Sequence, residues 1–199
     1  MAESDRPQTF DSDAALQRAM EVFWERGYEA ASLTALTEAM DISPPNLYAE
    51  FGSKESLFRE ALTHYLCKHG GYRQELLDKA ATAREAIEGL LRETVEHFYS
   101  GSISTGCLVV LTALTGAPES APVRASLAAE RATSTRMFHK RLERGVRDGD
   151  LAADTPVESL ANYYGTVLFG LSIQAHDQMP KEQLLEVVDQ AMRAFPHRG

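Results

Sequence analysis

The residues with most to offer chemically lie in one short stretch, Ser43-Pro44-Pro45-Asn46-Leu47-Tyr48-Ala49-Glu50-Phe51. Ser43 can cap a helix there, and Pro44 takes the first helical position, where a missing N–H costs nothing. Leu47 and Phe51, four residues apart, then share an inward face. The outward face carries Pro44, Pro45, Asn46, Ala49 and Glu50, beside the hydroxyl of Tyr48. An asparagine so placed can pair with an adenine edge, and small apolar atoms can touch a thymine methyl. Tyr48 and Lys54 are placed to grip phosphates, helped by backbone N–H groups at the start of a helix near Lys54. This is recognition chemistry rather than bond-making. The chain has no glycine-rich phosphate loop, no G-x-S-x-G elbow and no H-E-x-x-H helix. His64 and His69 are five apart, and His97 and His139 have no cysteine or histidine nearby at ligand spacing, so neither a metal nor any other cofactor is expected.

Apolar periodicity reads as helix nearly throughout, giving an all-α fold. Leu16, Ala19, Met20 and Phe23 form one face over residues 14–26, with Phe10 and Asp11 as staple and cap and Gly27 as the stop. Ser32 caps a short helix over 33–40, with Leu33, Leu36 and Met40 inward. Asp41-Ile42 makes a tight break before the Ser43 helix. Gly52 ends that helix, and Ser53 caps a longer one from Lys54 to about His69. Gly70-Gly71 reads as an end or hinge. Two short helices joined by a tight turn, with a helix packed on either side, are a helix-turn-helix.

Further on, a helix is expected over 83–100, and the apolar run 106–115 reads as a buried helix. A long polar-faced helix runs to Asp148 and stops at Gly149. Thr155-Pro156-Val157-Glu158 has capping-box spacing for a helix too apolar to be buried on one side only. Pro180 opens the last helix, in which Leu184, Leu185, Val188, Ala191, Met192 and Phe195 keep helical spacing.

Residues 23–58 resemble the DNA-binding domain of the TetR family of transcriptional regulators. The resemblance rests on Phe23, Gly27, Tyr28, Ser32, Leu47, Tyr48, Phe51, Ser53, Lys54, Glu55, Leu57 and Phe58, and covers roughly residues 14–60. It implies a DNA-binding domain over residues 1–60, in which Thr34, Ser43, Pro44, Pro45, Asn46, Tyr48 and Lys54 meet a double-stranded DNA operator. It also implies a helical ligand-binding and dimerisation domain over residues 61–199, a homodimer joined through the last two helices, and repression relieved by a small-molecule effector. Three positions depart from the family pattern. Asp41 replaces a turn glycine, Ala31 a threonine, and Pro44-Pro45 a lysine-glycine-like pair.

Tyr99, Cys107, Leu111, Phe138, Tyr163 and Phe169 are the candidate ligand-binding residues. A buried phenol seeks a partner, which favours Tyr99 and Tyr163 among them. Cys107 and Cys67 read as inert buried thiols rather than redox sensors. Arg136, Lys140, Arg144 and Arg147 make a basic stripe, read as a solvated face rather than a protein-docking surface.

Composition limits the alternatives. A chain of 199 residues with a formal net charge of −9 has ordinary globular composition. With two cysteines, a polar and acidic first segment and no apolar run long enough to span a bilayer, a reduced cytoplasmic protein without membrane contact is expected. Charge opposes the DNA reading: residues 1–60 hold 5 basic and 12 acidic side chains. Screening over about 8–10 Å makes local placement decisive. Non-specific DNA binding is therefore expected to be weak. The alternative reading is a helical small-molecule binder or enzyme without DNA activity.

Overall fold

A computed structural model describes residues 11–100, 106–112 and 114–196, and all regular structure among them is helical. Helix α1 (Ser12–Ala30) starts where Asp11 Oδ1 accepts the Ala14 N–H at 3.1 Å. Phe10, its expected staple, lies outside the described residues. Ala15, Ala19, Met20 and Phe23 are buried, and Leu16 partly so. Gly27 breaks the helical path at φ +73°, ψ 169°, a backbone that an L side chain rarely adopts. The last residues of α1, Tyr28 to Ala30, lie beyond that kink.

Helix α2 (Leu33–Met40) begins on Ser32, whose Oγ accepts the Ala35 N–H at 3.1 Å. Asp41 then takes the left-handed conformation (φ 57°, ψ 46°), which aspartate tolerates better than most L residues. Helix α3 (Pro44–Phe51) is capped by Ser43, and α4 (Lys54–Gly70) by Ser53. α1 packs on both α2 and α4, while α3 rests on α2 and α4. The division expected at residues 60 and 61 falls within the continuous α4.

The rest departs from expectation in four places. Residues after Gly71 form α5 (Tyr72–Lys79), which the sequence did not announce because it buries little besides Leu77. Helix α6 (Ala83–Tyr99) carries a full capping box between Thr82 and Glu85. The buried helix expected over 106–115 is a single turn, α7 (Leu108–Leu111), because Thr112 turns extended. Helix α8 (Ala121–Asp148) follows a 3-10 turn at Pro118–Ser120 and stops at Gly149 as expected. The expected capping box of α9 (Val157–His176) does not form. Pro156 sits at the cap position instead of the first helical one, and no side chain caps the helix. Helix α10 (Lys181–Arg193) is the last helix among the described residues.

α8 packs along α9, α10 covers α6 and α9, and α5 lies on α6 and α8. α7 is wedged among α1, α8 and α9. The buried apolar side chains form one contiguous cluster from Met20 and Phe23 through Tyr65 and Val110 to Phe138. Among the described residues, no helix is long and apolar enough to cross a membrane.

Candidate DNA interface and cavity

Leu36, Leu47 and Phe51 anchor the two short helices in the core. Thr37 and Met40 are buried with them, and the opposite faces of the two helices point away from the core. Thr34, Ser43, Pro44, Pro45, Asn46 and Tyr48 are all exposed, and Tyr48 keeps 48% of its surface. Ser43 Oγ accepts the Asn46 N–H at 3.4 Å, so its own O–H remains available to donate to a phosphate. The backbone of α3 is thus capped by the residue that also faces outward.

Lys54 differs from the others in being half-buried and held. Its ammonium lies 4.5 Å from the Tyr28 ring centroid and donates to the Glu29 carbonyl at 3.4 Å. Burial lowers its pKa, and the Glu29 carboxylate opposes that shift. The start of α4 thus carries a cation fixed against an aromatic face. Three acids stand nearby without compensation. Glu38, Asp41 and Glu50 are exposed, and no ion pair among the described residues includes them. Glu38 and Asp41 line a shallow groove with Ser43 and Asn46.

A second feature lies in the larger part of the chain. A cavity of about 410 Å³ opens between the end of α4, the start of α5, the end of α6, α7, α8 and α9. Its apolar walls include Leu66, Phe98, Val109, Val110, Met137 and Leu168. Cys107 and Phe169, two of the six candidate ligand residues, line it. The other four lie elsewhere. The Tyr99 hydroxyl donates to the Met179 carbonyl, and Phe138 is fully buried against Tyr164, ring centroids 6.4 Å apart. Leu111 sits half-buried at the end of α7, and Tyr163 is 41% exposed on α9. Helical spacing identified their apolar faces but not which neighbour each face meets.

The cavity also has polar walls that periodicity did not suggest: Arg73, Gln74, Glu130, Arg136 and Lys140. Cys107 is buried, and its sulfur accepts the Tyr65 hydroxyl at 3.4 Å. Cys67, expected to be buried, is exposed on α4. The basic stripe is partly neutralised, since Arg144 pairs with Asp148 at 3.1 Å. His69 Nδ1 and His97 Nε2 stand 3.1 Å apart, a pairing invisible in sequence because α4 and α6 supply one each. Among the described residues, no group of three or more His, Cys, Asp or Glu side chains could hold a metal.

One contact links the two features. The Glu29 carboxylate, beyond the α1 kink, accepts the Ala117 N–H at 3.1 Å. The Ser120 hydroxyl is the largest influence holding Glu29 below the ordinary carboxylate range, with Ala117, Lys54 and Arg124 adding to it. Arg124 in turn donates to the Ala117 carbonyl at 2.6 Å. Gly116 permits this approach, because a Cβ there would lie 2.4 Å from Glu29 Oε1. The segment that clasps Glu29 runs directly from α7 into α8, and both of those helices line the cavity.

Residues 15–61 match the family model for bacterial regulatory proteins of the tetR family. The chain is 31% identical over 192 residues to the HTH-type transcriptional repressor ComR of Escherichia coli K12, covering 96% of this chain and 91% of that one. It is 26% identical to the HTH-type transcriptional repressor BdcR of the same organism, covering 96% and 91%. A cysteine mutant of the TetR family regulator CifR, in complex with 26-base-pair double-stranded operator DNA, superposes with a TM-score of 0.93. That likeness has 64% identity and covers 96% of this chain and 100% of that one.

Proposed function

The chain belongs to the TetR family of bacterial transcriptional regulators, DNA-binding proteins and not enzymes, and on that premise we propose that it is a cytoplasmic, ligand-responsive repressor acting as a homodimer. Two copies of α3 enter successive major-groove faces of a palindromic operator, with half-sites about 34–36 Å apart. Asn46 reads a base edge, and Thr34, Ser43, Tyr48 and Lys54 position the module on the phosphates. The observation that carries this reading is the joint exposure of Thr34, Ser43, Pro44, Pro45, Asn46 and Tyr48 around a helix pair whose inner face is buried. The operator-bound structure of the related CifR mutant supports the same role.

Support for the dimer comes from α9 and α10. Of the five large apolar side chains exposed among the described residues, Tyr163, Ile173 and Val187 lie on these two helices. A second copy there covers surface that water otherwise meets. The effector occupies the cavity, and its effect reaches the DNA-binding module by two routes. α4 joins the cavity at Leu66 and Gly70 to Lys54 at its other end. The α7–α8 segment joins the cavity to Glu29. A ligand that binds better to one arrangement of these segments shifts the spacing of the two recognition helices by its difference in affinity. Replacing Tyr48 by Ala tests the DNA face. A gel shift on the DNA upstream of the gene should weaken while sedimentation still gives a dimer, and unchanged DNA binding would remove the assigned face.

A further inference from the structure

The cavity is lined by Arg73, which forms no ion pair among the described residues. We infer that it binds a small organic anion, an apolar body bearing a carboxylate that seats on Arg73. This rests on the cavity being the effector site and goes further by naming the ligand's chemistry.

Arg73 is held in place by a chain of hydroxyls. Thr94 Oγ1 donates to the Leu90 carbonyl at 2.7 Å, so it must accept from Tyr72 across their 3.2 Å contact. With its proton so committed, the Tyr72 oxygen is left as the acceptor in its hydrogen bond with Arg73. The Arg73 guanidinium also lies 6.0 Å from the Tyr72 ring. Its buried Nε has no hydrogen-bond partner, and a guanidinium stays charged in such surroundings. A buried donor left unpaired is costly, and an anion seated against the Arg73 side chain where it lines the cavity would offset that cost electrostatically.

The rim reinforces this. Arg136 and Lys140 also line the cavity. No ion pair among the described residues includes Arg73, Arg136 or Lys140. Arg136 donates to the Thr133 hydroxyl at 2.6 Å. Against three cations stands one carboxylate, Glu130. A neutral hydrocarbon would fill the walls formed by Phe98, Val110 and Met137 but leave Arg73 unpaired. An inorganic anion would pair with Arg73 but leave those walls wet. A carboxylate on an apolar chain does both.

The test compares octanoate with 1-octanol, matched in length and different in charge, by calorimetry and thermal shift on the full chain. Octanoate should bind and raise the melting temperature, and octanol should bind at least about tenfold more weakly. Arg73→Gln should lose about tenfold or more in octanoate affinity while leaving octanol unchanged, and Arg73→Lys should recover part of the loss. If Arg73→Gln fails to fold, as judged by circular dichroism, Arg136→Gln with Lys140→Gln carries the test through a smaller, few-fold loss for octanoate alone. Equal binding of both probes, or full octanoate affinity in Arg73→Gln, overturns the anion inference while leaving the cavity as a ligand site. Binding of neither at millimolar concentration overturns the inference and counts against the cavity as an effector site as well.

Discussion

Salt titration of operator binding examines the charge arrangement most severely. Each phosphate neutralised by a protein cation releases counterions, and the slope of log affinity against log salt is about −0.9 per phosphate on duplex DNA. The recognition surface offers few cations. Lys54 is held at the start of α4 by Tyr28 and Glu29, whereas Arg59 is occupied by Glu55 at 2.7 Å. Lys54 alone contributes one phosphate per copy and a dimer slope of about −1.8, and one further cation per copy would double this to about −3.6. Between roughly 50 and 200 mM salt, affinity should then fall about 10- to 150-fold, where ten neutralised phosphates would cost about 10⁵-fold. Exposed Glu38, Asp41 and Glu50 add repulsion rather than grip. Fluorescence anisotropy over a salt series reads the slope directly. Lys54→Gln should flatten it by about 1.8. A wild-type slope near −9, or one that Lys54→Gln leaves untouched, would refute this charge reading.

Other consequences are equally specific. Leu47 is fully buried, so Leu47→Ala should cost about 2–5 kcal/mol in a denaturant melt and lose DNA binding along with the fold, unlike Tyr48→Ala. Gly116→Ala drives a Cβ to 2.4 Å from the Glu29 carboxylate, so it should uncouple ligand from operator release while ligand affinity, measured by calorimetry, holds. Glu29 has a lowered folded pKa, so its contribution is present above the ordinary carboxylate range and is lost as pH falls through the lowered value. Glu29→Gln should remove that acid-dependent part of the melting temperature. Burial, then mutual repulsion and nearby cations, lowers the pKa of His69, and burial with Arg73 lowers that of His97. The unfolded chain therefore binds more protons near pH 6, so thermal stability should decline as pH drops below about 6.5. His97→Asn should flatten that decline.

The DNA-binding module was legible because its information is local. Asp11, Ser32, Ser43 and Ser53 each cap a helix within three residues, and each does so in the structure. Asp41, in the turn between α2 and α3, takes the left-handed conformation that aspartate tolerates. The larger part was less legible because its determinants are distant. α5 has almost no buried stripe to betray it, and the true capping box lies at Thr82 rather than at Thr155. The cavity walls come from six helices, so spacing along any one of them could not show that Phe169 lines it while Phe138 does not. Arg73 carried no motif. Its meaning depends on Tyr72 and Thr94, which are joined only by folding. The Glu29 clasp spans 88 residues and left no trace in local pattern.

Footprinting of the purified protein on the DNA upstream of its gene, with the stoichiometry of the complex determined in the same preparation, tests DNA recognition by paired α3 helices most directly. The expected result is two protected half-sites one helical turn apart, two chains per site, and loss of protection in Asn46→Ala with Tyr48→Ala at unchanged melting temperature. Protection that survives both substitutions, or a single chain bound per site, would contradict it.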